Sequence, residues 1–168
     1  MPVETLDISL TETGDSIMQN SDIDFSTADS AVQNAFLGRT ALRMPLFAGT
    51  KLFKHTDRPL VHVDGRISPW WALVEPGNAA DPGLAGEIAR AESMGVAAAE
   101  LARARFAVTN QWSSMSDLMV IELIVPAIGY YGRCAAQRMD ETEARVVFIG
   151  GGWQVWIPNL TIASARIC

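Results

Sequence analysis

Leu118-Met119-Val120-Ile121-Glu122-Leu123-Ile124-Val125 is a nearly unbroken run of apolar, strand-favouring residues. Such a run suits a strand buried on both faces, so it reads as a central strand, interrupted by Glu122 and closed by Pro126 and Gly129. Upstream, residues 84–108 are dense in Ala, Glu, Arg and Leu. These side chains lose little freedom in a helix, which makes this the main helical segment. Gly95 divides it. The second half shows Val96, Ala99, Leu101, Arg103, Phe106 and Ala107, and its apolar stripe reads as core packing. Helices set between groups of strands, rather than alternating with them, argue for an α+β domain with mostly antiparallel pairing.

The remaining elements follow outward from this centre. Residues 144–149 read as a second buried strand, Gly150-Gly151-Gly152 turns the chain, and Trp153-Gln154-Val155-Trp156-Ile157 alternates as a third strand ended by Pro158. Residues 162–167 suit a last strand. Upstream, Leu60-Val61-His62-Val63, the turn dipeptide Asp64-Gly65 and Arg66-Ile67-Ser68 read as a hairpin whose return strand ends at Pro69. Residues 46–53 carry a mixed strand signal broken by Gly49. Ser26-Thr27-Ala28-Asp29 resembles a capping box and opens a helix near 27–37, stopped by Gly38. Residues 1–26 are polar and acidic, with alternation at Leu6, Ile8 and Leu10 that suits a short edge strand. They read as an arm through which a partner protein could dock, and residues 27–168 as one α+β domain.

Composition narrows the function classes. The 168 residues are 49% hydrophobic and 19% charged, too apolar for a disordered chain. The net charge of −6 opposes a broad nucleic-acid surface, because counterion release needs many cations. Arg39, Arg43, Lys51, Lys54, Arg58 and Arg66 do cluster in sequence, first as a solvated face and second as a ligand-facing patch. The first residues lack a basic region followed by an apolar core, and no apolar run approaches a membrane span. The expectation is a cytoplasmic protein, or one exported without a signal peptide. Cys134 and Cys168 lack zinc-site spacing and are expected to be reduced, while His55 and His62 belong to no metal motif, so no metal is expected.

Five tryptophans carry more information. Trp70 and Trp71 are adjacent and face opposite sides of any strand. Gln154 shares a face with Trp156, and Trp153 shares one with Val155. These tryptophans are either core and rim residues or the walls of a planar-ligand site. The triple glycine is either a plain turn or a place where a ligand approaches the backbone, since it leads into a strand and not into the helix that a phosphate loop requires.

Leu52-Phe53-Lys54-His55-Thr56 resembles the first-strand signature of ADP-ribosyltransferase-like domains, in which a hydrophobic-aromatic-Arg-x-Thr/Ser segment supplies an arginine that grips the NAD pyrophosphate. Arg66-Ile67-Ser68-Pro69-Trp70 is similar to the second-strand serine segment that braces the nicotinamide pocket. Phe148 through Pro158 resembles the Gly-rich, Gln-bearing last motif of the NAD-glycohydrolase toxins of that superfamily. The resemblance spans three short islands. It implies NAD as substrate, Gln154 in the catalytic position, Ser68 as the brace and Lys54 as the anchor. It also implies that His55, Trp70, Trp71, Trp153 and Trp156 line the cofactor site. The departures matter. Lysine cannot form the planar bidentate fork of the expected arginine. The full Ser-Thr-Ser and Glu-x-Glu patterns are missing, which puts protein-directed arginine modification in doubt and leaves the acceptor unknown. The alternative expectation is a non-enzymatic binding or assembly module that forms a homo-oligomer, and a barrel-type small-molecule binder ranks third.

Overall fold

The computed structural model describes residues 18–57, 61–109, 112–138 and 147–168. Three α-helices lie among them: α1 (Ser30–Asn34), α2 (Gly83–Met94) and α3 (Ala98–Arg105). The strands are β1 (Leu42–Leu46), β2 (Lys51–Thr56), β3 (Trp70–Leu73), β4 (Asp117–Leu123), β5 (Ala127–Arg133), β6 (Gln137–Arg138), β7 (Val147–Phe148), β8 (Trp153–Trp156) and β9 (Ala165–Ile167). Seven of these form one sheet in the order β1-β5-β8-β3-β2-β4-β9, with β6 and β7 paired separately. Every pairing between these strands is antiparallel. The chain is an α+β domain, and among the described residues no helix is long and apolar enough to cross a membrane.

Short connections curl the sheet. Only residues 47–50 separate β1 from β2, although three strands lie between them in the sheet, and only residues 124–126 separate β4 from β5. In a flat sheet, with neighbouring strands nearly 5 Å apart, four spacings would put each linked pair about 19 Å apart, beyond the reach of either link. The two halves therefore fold over one another. The Gly49 amide donates to the Leu123 carbonyl at 2.7 Å, and the Leu123 amide donates to Thr50 at 2.9 Å.

Residues paired across antiparallel strands share a face. Leu52 opposes Leu73 and Ile121, while Val155 opposes Trp71 and Tyr131. This concave face holds the main core, which also includes Leu46, Leu123 and Ile157. On the convex face Trp156 opposes Trp70 and Tyr130, and Phe36 and Ile128 complete a second cluster. The convex face is covered from two sides. Phe106, just beyond α3, meets Phe53 edge-on at 6.2 Å. Across β5 and β8 runs the segment 18–41, which we term the strap. Gln19 bridges Ala127, the Asn20 amide donates to the Pro158 carbonyl at 2.6 Å, and the Tyr130 hydroxyl donates to the Ile23 carbonyl.

Several expectations need correction. Residues 18–26 of the expected arm run across the sheet as the start of the strap, while residues 1–17, including the expected edge strand, lie outside the described residues. The helix expected near 27–37 shrinks to α1, flanked by 3-10 turns at Phe25–Thr27 and Leu37–Arg39. The anticipated capping box is absent: Asp24 accepts from the Ser26 amide, and Asp29 precedes α1 without a side-chain cap. β4 is the sixth of seven strands, not central, because β9 alone lies outside it. Val147 of the expected buried strand is 48% exposed and pairs only with β6, while residues 144–146 lie outside the described residues. Asp64-Gly65 does turn the chain, with Val61 bridging Ile67, but Pro69 introduces β3 rather than ending a strand.

β5 escaped the pattern altogether because Gly129 looked like a terminator. Its glycine has a packing cause. A Cβ there would stand 2.7 Å from Val155 Cγ2 and 3.0 Å from Leu46 Cδ1. Gly129→Ala is therefore expected to destabilise the fold by about 1–3 kcal/mol through overpacking. Urea unfolding should show a lower midpoint with an unchanged slope.

At the end of β2, Asp57 ties the sheet to the segment leading into β4. It accepts from the Ser113 hydroxyl at 2.8 Å and from the Ser114 amide at 2.9 Å. The Ser114 amide, and then the Ser113 hydroxyl, lower the carboxyl pKa to about 2. A depressed folded-state pKa adds stability that is present above the unfolded value, near 3.9, and is lost as pH falls through about 2. Asp57→Asn should thus be less stable than the parent above pH ~4, with the gap closing toward pH ~2. Denaturant midpoints across that window measure it, and a gap that persists unchanged would contradict it.

Candidate functional site

Of the three islands of the resemblance, the first lies in β2, the second reaches β3 only at Trp70, with Ser68 before the strand, and the third runs from Phe148 of β7 through β8; β3 lies between β2 and β8. Alternation along each strand divides their residues between two faces.

Lys54, Trp71 and Trp153 belong with the concave side, and Ser68, which precedes β3, meets Lys54. Lys54 is two residues from Leu52 and opposes Met119. Its ammonium donates to the Ser68 hydroxyl at 2.9 Å and sits 5.5 Å from the Trp71 ring centre. The Trp71 indole donates to the Ser68 carbonyl at 2.6 Å, and the Trp70 amide approaches the Ser68 hydroxyl at 3.4 Å. Lys54 and Ser68 therefore do converge. Trp71 is 2% exposed and is a core residue, with only its indole N–H committed to a polar partner.

Trp153 extends the concave face to the edge of the core. It stacks on Tyr131 at 5.0 Å and 16°, donates its indole N–H to the Ala80 carbonyl at 3.2 Å, and lies 5.9 Å from the Arg133 guanidinium. The Tyr131 hydroxyl donates to Asp81, whose carboxylate also accepts from the Gly77 and Gly83 amides at 3.1 and 3.0 Å. Burial, and secondly the adjacent Asp81 carboxylate, raise the Tyr131 pKa far above the usual phenol range. Tyr131 and Asp81 were not legible as a pair, because one sits in an unrecognised strand and the other in a loop 50 residues away. Together they pin the loop that carries the chain from β3 to α2.

Gln154 lies on the convex face. It opposes Gly132, and its amide nitrogen donates to the Ala35 carbonyl of the strap at 2.9 Å. It does not share a pocket with Lys54 and Ser68, as the resemblance implies: positions 153 and 155 point into the core, so 154 must point out. With Gln154 on this face are Trp70 and Trp156, their ring centres 6.4 Å apart, and His55, which opposes Leu118. Trp156 is 9% exposed, whereas Trp70 and Gln154 are half-buried. Burial holds the His55 pKa below its ordinary value, which favours the neutral ring.

The triple glycine serves both as a turn and as a close approach, but it is the protein's own backbone that approaches. The Gly150 and Gly152 amides donate to the Ala104 and Arg105 carbonyls at 3.1 and 2.8 Å, satisfying acceptors that the end of α3 leaves open. A Cβ on Gly150 would stand 2.6 Å from the Ala135 carbonyl oxygen, and one on Gly152 2.8 Å from that of Arg105. Nearby, Arg105 and Glu87 form a buried pair at 2.8 Å. The two cysteines are free, Cys134 buried and Cys168 exposed, and burial raises the Cys134 pKa, which disfavours its thiolate.

The basic residues do not gather into one patch. Lys54 points toward the concave core and Arg66 pairs with Asp64, while Arg58 lies outside the described residues. Arg39 and Arg43 border a cleft of about 700 Å³ that Asp22 and Asp24 also line, giving it mixed charge. Comparison with protein-family models, with curated proteins and with solved structures finds no match to this chain.

Proposed function

We propose that the chain is an NAD-consuming enzyme, a glycohydrolase or ADP-ribosyltransferase of the kind used as toxins and effectors. One observation carries this reading: β2, the start of β3 and β8, which hold parts of the three sequence islands that resemble such enzymes, are adjacent in the sheet and bring His55, Trp70, Trp156 and Gln154 to one face.

In this reading NAD meets the part of the convex face that stays partly exposed beside the strap, with its nicotinamide end toward the half-buried Trp70, on which Phe36 also packs, and its ribose toward Gln154. The bond between the ribose C1′ and the nicotinamide nitrogen breaks. Nicotinamide leaves with the bonding pair and becomes neutral, and C1′ becomes an oxocarbenium-like cation. Water, or an acceptor nucleophile, adds to C1′ and releases a proton. The Gln154 amide oxygen accepts from a ribose hydroxyl and places a partial negative charge beside the developing cation. A neutral amide stabilises that cation less than a carboxylate does, so bending of the bound substrate must supply part of the effect. Lys54 and Ser68 then act beneath this surface by joining β2 to the start of β3, rather than by gripping the pyrophosphate.

A second reading, a non-catalytic binding or assembly module, is favoured by the commitment of the Gln154 nitrogen to Ala35 and by the burial of Trp71 and Trp156 in the cores. Nicotinamide release from NAD separates the two. The wild type should release nicotinamide with or without added acceptors, and Gln154→Ala should be slower by about a hundredfold. A wild type that releases none with several acceptors supplied, yet forms a stable homo-oligomer by light scattering, would establish the second reading instead.

A further inference from the structure

We infer that the backbone carbonyl of Ala35 is a positioning group for Gln154, and that the strap thereby decides which end of the amide meets a ligand. The inference rests on the catalytic reading of Gln154 for its functional consequence, but the contact itself is independent of that reading. A carbonyl oxygen can only accept a hydrogen bond, so the partner 2.9 Å away must be the amide nitrogen. The amide oxygen is then the prong that Ala35 does not engage. Gln154 presents an acceptor, the polarity needed to hold a ribose hydroxyl or to face a cationic centre.

The contact is built from several sides. The Ala35 carbonyl also accepts from the Ala135 amide at 2.9 Å, which fixes it against the sheet. Phe36, which follows it, is 1% exposed and bridges Cys134. Gly132, directly opposite Gln154, makes room for the strap, since a Cβ there would stand 2.9 Å from Phe36 Cδ1 and 3.0 Å from the Thr40 carbonyl oxygen. None of Ala35, Phe36 and Gly132 carries a titrating group. The arrangement also accounts for glutamine, rather than glutamate, in this sequence. An ionised carboxylate would set oxygen against the Ala35 oxygen with no proton between them.

The test compares thermal unfolding of the wild type and Gln154→Glu at pH 4 and pH 8. Placed against a carbonyl, the new carboxyl has a raised folded-state pKa. Its stability contribution is therefore complete below the unfolded value, about 4.3, and is lost as pH rises through the folded value. The variant should match the wild type at pH 4 and melt about 3–10 °C lower at pH 8. A variant that tracks the wild type at both pH values overturns the inference. The positioning role is read separately in Gly132→Ala, which displaces the strap without altering Gln154. The kcat for nicotinamide release should fall about tenfold to a hundredfold with KM within about twofold, as expected for misplacement of a catalytic group. A folded Gly132→Ala enzyme with unchanged kcat overturns the positioning role. If the wild type releases no nicotinamide, the NAD reading falls, while the pH comparison still decides whether Ala35 orients Gln154.

Discussion

The curl of the sheet is the constraint on which the other features depend. Residues 47–50 and 124–126 are too few to cross a flat sheet, so strands distant in the sheet order must face one another. Once they do, one face becomes an enclosed core and the other an outer surface that needs its own cover. Side-chain alternation then assigns each residue to one environment. Lys54 and Gln154 receive opposite assignments for this reason alone, although their strands are separated only by β3.

The convex surface is closed by backbone as much as by side chains. The strap brings the Ala35 carbonyl down onto β5 and β8, and the 150–152 segment lays its amides against the open carbonyls of α3. Glycine occurs where the backbones meet because a side chain would occupy the approach. Inside β5, Gly132 likewise admits the Thr40 carbonyl together with the Phe36 ring, whereas Gly129 makes room for the Val155, Leu46 and Ile157 side chains. A residue type that usually signals an interruption here permits continuity, and the sequence pattern inverts its meaning.

Two polar networks stabilise the ends of the fold. Tyr131 and Asp81 fasten the loop between β3 and α2, and Asp57 fastens the segment that enters β4. Each joins a strand to an irregular segment whose backbone would otherwise rely on solvent for its hydrogen bonds. The buried Arg105 and Glu87 pair extends the same logic to the helices: its charges are joined at 2.8 Å, which limits the cost of desolvating them.

Local chemistry in the sequence was sufficient for some features and insufficient for others. The split of the helical region follows from Gly95, which has φ of 68° and ends α2. The opposite parity of Gln154 and Trp153 follows from strand alternation, and the turn at Asp64-Gly65 from its dipeptide. These depend on one residue or its near neighbours. The existence of β5, the edge-proximal place of β4, the exposure of β7 and the joining of 18–26 to the strap were decided by tertiary structure. So was the separation of Gln154 from Lys54 and Ser68, because a shared pocket depends on which way a curled sheet turns each face. Sequence alone determined an α+β chain with aromatic strands and a glutamine that alternates away from Trp153. Only the packed sheet decided that this glutamine would meet the Ala35 carbonyl, since that contact links positions 119 residues apart.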